Sequence, residues 1–161
     1  EYQKALDINP NYAEAHNNLG AVYNKLKENN KAMQEYQKAL EINSNYVDAH
    51  NNLGVLYYEL KQYNKAIQEY QKAISINPNS DKSHNNLGAV YKELKQYEKA
   101  VQEYKKAIKI NPDYASPHNN LGILYKEQKQ YNKAIQEYKK ALEINPNYAD
   151  VHYNLGILYF K

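Results

Sequence analysis

Five histidines stand at residues 16, 50, 84, 118 and 152, a constant spacing of 34. Imidazoles at a fixed interval raise two chemistries, metal ligation and proton transfer near neutrality. Zinc holds its ligands at about 2 Å, whereas packed helices lie roughly 8–10 Å apart, so histidines one repeat apart are not expected to share an ion. A partly buried, hydrogen-bonded packing role is expected instead, with no metal and no cofactor. From that burial, acidification through about pH 6 is expected to loosen the protein. The serines are scattered at 44, 75, 80, 83 and 116, and neither a glycine-rich phosphate loop nor a two-histidine helix motif is present. No catalytic residue is assigned, and the chain is read as not an enzyme.

Asparagine is the second recurring polar group. "HNNLG" occupies 16–20, 50–54, 84–88 and 118–122, and "HYNLG" occupies 152–156. Asparagine costs up to about 0.7 kcal/mol relative to alanine inside a helix, so nine of them forfeit on the order of 5 kcal/mol. That rivals the net stability of a small domain, and some interaction is expected to offset it. A carboxamide offers donors and an acceptor and can pair with the backbone of an extended peptide without reading its sequence. The candidate peptide-binding residues form two rows, Asn18, Asn52, Asn86, Asn120 and Asn154 beside Asn17, Asn51, Asn85 and Asn119. Between them runs an apolar line of Ala21, Val55, Ala89, Ile123 and Ile157, suited to hydrophobic side chains of a ligand. Recent duplication or an AT-rich codon bias is the alternative source of the same identity.

Two helices per repeat must position these groups. His16, Leu19, Gly20, Val22, Tyr23 and Leu26 recur at spacings of three and four, the mark of a helix with one buried stripe, and residues 14, 17, 18, 21, 24 and 25 lie on its other side. Ala32, Met33, Tyr36, Ala39, Leu40 and Ile42 mark a second helix. Asn-Pro at 77–78, 111–112 and 145–146 ends it, because proline cannot continue a helix and disfavours helical geometry in the residue before it. Ser44 replaces that proline once, between Asn43 and Asn45, which still favour a turn. Pro117 falls near a helix start, where a missing amide costs little. Small residues at Gly20, Ala32 and Ala39 let helices approach closely, and the tyrosines at 23, 36, 57, 70, 91, 104, 125 and 138 fill the space left. Full units span 13–46, 47–80, 81–114 and 115–148, with a partial second helix at 1–12 and a partial first helix at 149–161, all in one array.

The pattern His16-x2-Leu19-Gly20-x2-Tyr23, then Ala32-x3-Tyr36, then Pro78, Pro112 and Pro146 in later units, resembles the tetratricopeptide repeat (TPR) over the whole chain. The resemblance implies an all-α fold, a right-handed TPR α-solenoid of antiparallel helix pairs with first helices lining a concave groove. It implies a protein–protein interaction scaffold, with the Asn18 row placed where the TPR superhelix of the O-linked N-acetylglucosamine transferases carries its asparagine ladder. The TPR clamp for acidic chaperone tails is not expected, since Asn17 and Ala21 stand at its lysine and asparagine positions and the chain has no arginine. Two departures stand out. Histidine replaces the usual tryptophan, and Lys27, Lys61, Lys95 and Lys129 replace the glycine between the helices. If that turn is left-handed, each lysine brings strain of about 1 kcal/mol; otherwise the turn takes another shape.

With 42% hydrophobic and 24% charged residues and a net charge of +3, all of it from lysine on the basic side, the chain gives little reason to expect nucleic acid. No apolar run is long enough for a bilayer and no leader is apparent, so no membrane role is expected. Absent cysteines exclude disulfides, and the cytoplasm is the default compartment. Glu35 with Lys38 and Glu69 with Lys72 are expected to form weak solvated pairs. Glu14 and Asp48 toward one end and Lys82, Lys92 and Lys126 toward the other are expected to orient a protein or peptide ligand of opposite polarity. The chain is expected to be a fragment, opening within a second helix and closing within a first one. Apolar ends including Leu155, Leu158, Tyr159 and Phe160 suggest, as alternatives, a self-associating array stacking end to end into a homo-oligomer or the regulatory arm of a larger enzyme.

Overall fold

The computed structural model describes residues 1–159. Every regular element among them is a helix: α1 (Tyr2–Ile8), α2 (Ala13–Lys25), α3 (Asn29–Ile42), α4 (Val47–Glu59), α5 (Tyr63–Ile76), α6 (Asp81–Glu93), α7 (Tyr97–Ile110), α8 (Ala115–Glu127), α9 (Tyr131–Ile144) and α10 (Ala149–Tyr159). The helices form two compact units, Glu1–Asn79 with α1–α5 and a second from Ser80 onward with α6–α10. In the first unit α2 pairs with α3 and α4 with α5, α1 covers part of α2, α3 packs on α4, and α2 lies alongside α4. In the second, α6 pairs with α7 and α8 with α9, α7 packs on α8, α9 on α10, and α6 lies alongside α8. The short turns make each pair antiparallel, and the fold class is the expected all-α solenoid of helix pairs.

Each pair closes on a tyrosine set into a glycine. Tyr36, Tyr70, Tyr104 and Tyr138 are essentially buried, between alanines with no exposure at 32, 66, 100 and 134. A methyl group at Gly20, Gly54 or Gly88 would stand 2.6–2.7 Å from the ring of Tyr36, Tyr70 or Tyr104. Only glycine admits the ring there. Burial raises the phenol of Tyr36 to about 12 and those of Tyr70 and Tyr138 still further, so these rings stay neutral. Lysines at 31, 65, 99 and 133 reach from each second helix over the rings of Tyr23, Tyr57, Tyr91 and Tyr125, 5.3–5.5 Å from their centroids. Val22 is 39% exposed, unlike its buried equivalents Leu56, Val90 and Leu124.

The turn within each pair is left-handed. Lys27, Lys61, Lys95 and Lys129 have φ of 57–61°. Lys27 N–H donates to Asn24 O at 3.0 Å and Glu28 N–H to Tyr23 O at 2.9 Å, the paired bonds of a Schellman motif with lysine at its left-handed position. Of the two shapes open to this turn, the strained one is adopted, and Cβ crowding costs each lysine about 1 kcal/mol or more. The turn between pairs has a different device. Asn9, Asn43, Asn77, Asn111 and Asn145 cap their helices in extended geometry, and each side-chain oxygen accepts the N–H two residues on at 3.0–3.2 Å. This Asx turn holds the chain with Ser44 as it does with proline.

Candidate functional site

Four of the five histidines face inward to a carboxylate, whereas His152 is exposed with its Nε2 2.9 Å from Pro146 O. His16 Nδ1 lies 2.6 Å from Glu35 Oε2, and the same contact joins His50 to Glu69, His84 to Glu103 and His118 to Glu137. The other carboxylate oxygen takes Lys38, Lys72, Lys106 or Lys140 at 2.8–2.9 Å. Glu35, Glu69 and Glu103 are buried, correcting the expectation of solvated Glu–Lys pairs; only the lysine ends are exposed. Burial raises these carboxyls, but hydrogen bonds from the histidine and the lysine outweigh it and hold Glu35, Glu69, Glu103 and Glu137 below the ordinary 4.5. His16 and His50 also place Nε2 3.0 Å from the carbonyls of Pro10 and Ser44. Both ring nitrogens of these two residues therefore meet acceptors.

This triad fixes one helix against its partner. Among the described residues no group of three or more histidines or carboxylates converges on a metal-sized point. A shallow cleft of about 490 Å³ in the first unit, lined by Gln37, Leu40, Ser44 and Tyr57, ends on His50, Glu69 and Lys72.

The two asparagine rows separate. Asn17, Asn51, Asn85 and Asn119 are only 5–7% exposed, so the outward orientation expected for them is corrected. Asn17 and Asn85 lie between neighbouring first helices. Asn52 Nδ2 donates to Asn17 Oδ1, and Asn120 Nδ2 to Asn85 Oδ1, both at 2.9 Å. Asn85 Nδ2 also reaches the hydroxyl of Tyr114 at 3.4 Å. These bonds brace α2 to α4 and α6 to α8, offsetting part of the helix-propensity cost without a ligand. Asn18, Asn52, Asn86, Asn120 and Asn154 remain half-buried, with Ala21, Val55, Ala89, Ile123 and Ile157 half-buried beside them. The first-helix face of each unit thus offers partly accessible amides next to small or branched apolar side chains.

Of the charges expected to orient a ligand, Lys92 is ion-paired and Lys126 rests on a neutral amide. Asp81 accepts from Asn111 Nδ2 at 2.6 Å, and Lys92 meets Glu93 at 3.0 Å and Glu127 at 3.8 Å. Lys126 donates to Asn154 Oδ1 at 2.8 Å. At α10, Leu155 is buried and Leu158 half-buried, whereas Tyr153 and Tyr159 are 73% and 63% exposed; Phe160 lies outside the described residues. Leu155 therefore does not belong to an open apolar end. Gly156, unlike the other glycines, has no atom within 4 Å of an added methyl. No helix among the described residues is long and apolar enough to cross a membrane.

Residues 1–27, 22–61, 56–95, 90–129 and 124–161 match the family model described as TPR repeat. Among solved structures the chain is similar to MamA, with a TM-score of 0.76 and 28% identity over 92% of this chain and 87% of that one. It is similar to PilF of Pseudomonas aeruginosa, with a TM-score of 0.82 and 29% identity over 93% and 68% of the two chains. A thermophilic TPR protein of Thermus thermophilus shares the fold, with a TM-score of 0.89 at 23% identity over 99% and 88%. No curated protein matches at a significant level. The TPR fold is typically a non-catalytic scaffold that binds proteins or peptides. With matches running through every helix pair described above, the chain belongs to the TPR repeat family.

Proposed function

We propose that this chain is a non-catalytic scaffold that holds an extended segment of another protein against its first-helix faces. The observation that carries the reading is the set of half-buried asparagines beside apolar side chains on each unit, Asn18 and Asn52 with Ala21 and Val55 in the first, and Asn86, Asn120 and Asn154 with Ala89, Ile123 and Ile157 in the second. Carboxamides there pair with the ligand backbone, and the apolar line receives alternate side chains. Asn17 and Asn85 serve as braces beneath these residues rather than as ligand contacts.

The test is capture of partner proteins by the wild-type chain and by a variant with Asn52, Asn86 and Asn120 all changed to alanine. Capture is expected to fall while the helical circular dichroism is retained. Undiminished capture by the folded variant would refute the asparagine row as the docking surface.

A further inference from the structure

We infer that Lys126, held by Asn154 until a ligand displaces it, is a carboxylate-binding site on the first-helix face of the second unit, taking an acidic residue flanked by apolar ones. This deepens the proposed scaffold function and rests on it.

Two separate observations converge on these residues. The first is a cation with an unusual partner. Lys92, one repeat before Lys126, pairs with the carboxylates of Glu93 and Glu127. Lys126 is half-buried, and among the described residues it makes no ion pair; its ammonium rests on the neutral amide oxygen of Asn154 at 2.8 Å. The sequence accounts for the difference, because the residue one repeat beyond Glu127 is Lys161 rather than an acid.

The second observation is an acceptor that has lost its donor. Asn17 Oδ1 receives Asn52 Nδ2, and Asn85 Oδ1 receives Asn120 Nδ2. The equivalent donor for Asn119 is Asn154, whose carboxamide is turned to Lys126 instead. Asn119 Oδ1 is left buried with no hydrogen-bond partner, on a side chain 7% exposed. A buried, unsatisfied amide oxygen is a standing cost.

A ligand carboxylate at Lys126 resolves both. A carboxylate adds the attraction of a full opposite charge, which a neutral amide oxygen does not supply to the ammonium, so the carboxylate displaces Asn154. The freed carboxamide then donates to Asn119, restoring the brace found between α2 and α4 and between α6 and α8. Ile123 and Ile157, each one helical turn from Lys126 or Asn154, flank the site with apolar surface. One lysine without arginine, bordered by isoleucines, suits a singly charged carboxylate better than a phosphate.

The experiment follows the side-chain amide resonances of Asn119 and Asn154 by NMR in the full chain. Three probes are titrated: acetyl-Leu-Asp-Leu-amide, acetyl-Leu-Asn-Leu-amide, and acetyl-Leu-Asn-Leu with a free terminal carboxylate. The aspartate peptide is expected to move both resonances and to bind about five- to tenfold more tightly than its asparagine twin. A response to the third probe alone would assign the site to chain termini and overturn the side-chain specificity. Without any ligand, Lys126→Met is expected to release Asn154 and shift its amide protons downfield as the bond to Asn119 forms. Equal responses to the charged and neutral probes, or an unmoved Asn154 in Lys126→Met, would overturn the inference. Reduced capture by the Asn52, Asn86 and Asn120 variant alongside a flat NMR response would remove the carboxylate site alone and leave the scaffold reading intact.

Discussion

Replacing Lys27, Lys61, Lys95 and Lys129 together by glycine is expected to stabilise the protein. All four hold φ of 57–61°, where a side-chain Cβ crowds the following carbonyl. That crowding costs about 1–2 kcal/mol per residue. Glycine removes it but brings extra freedom to the unfolded chain, worth about 0.5–1 kcal/mol in the opposite direction. The net gain is therefore about 0.5–1 kcal/mol per turn. The turns are a repeat apart and share no partners, so the gains should nearly add, giving about 2–4 kcal/mol for the set. For a chain of this size each kcal/mol moves Tm by about 2–4 °C, and a rise on the order of 10 °C is expected.

Loss of the lysine charges does not confound this. The Lys27–Glu59 contact is 3.6 Å with the lysine end 73% exposed, and exposed pairs contribute little. A fourfold alanine variant separates the two effects, since alanine removes the charge and keeps the Cβ. Thermal and urea unfolding of the wild type, the fourfold glycine and the fourfold alanine variants make the comparison. If the glycine variant is no more stable than the alanine variant, the strain assigned to these turns is wrong.

Two further outcomes follow from the packing. Gly54→Ala, which drives a methyl to 2.6 Å from the buried Tyr70 ring, is expected to destabilise by about 1–3 kcal/mol in urea unfolding, while Gly156→Ala, with open space around it, should be neutral or gain up to about 1 kcal/mol of helix propensity. Equal losses at both positions would contradict the tyrosine-in-glycine account. The pH response depends on the four glutamates, whose folded carboxyls lie below 4.5. As pH falls, the unfolded carboxyls take protons first, so the stability present above about 4.5 is lost as pH drops through the folded value. Tm should fall as pH drops below about 4.5, and changing Glu35, Glu69, Glu103 and Glu137 to glutamine should flatten that acid limb at the cost of lower stability at pH 7. An acid limb as steep in the glutamine variant as in the wild type would contradict this.

The helices, their turns and the tyrosine-glycine contact are legible in the sequence because each leaves a local mark: apolar spacings of three and four, an Asn-Pro stop, a small residue one turn from a large one. The lysine turn is legible as a choice between two shapes, which only backbone geometry decides. The glutamates mislead for a definite reason. Glu35 and Lys38 are three apart on one helix, which suggests a solvated pair, but burial of Glu35 comes from α2, through His16, nineteen positions away. The signal is present in the recurrence of His and Glu at 16 and 35, 50 and 69, 84 and 103, and 118 and 137.

The asparagines show a subtler limit. Neighbours such as Asn17 and Asn18 point about 100° apart around a helix, so which faces solvent depends on where the next first helix lies. Periodicity does not contain that placement. Once α4 lies beside α2, Asn17 is enclosed and Asn52 turns to meet it, whereas at α10 the residue equivalent to Asn17 is Tyr153, 73% exposed. The propensity cost of the nine asparagines therefore divides. Asn17 with Asn52 and Asn85 with Asn120 offset part of their share through bonds between helices, whereas Asn119 Oδ1 retains its cost.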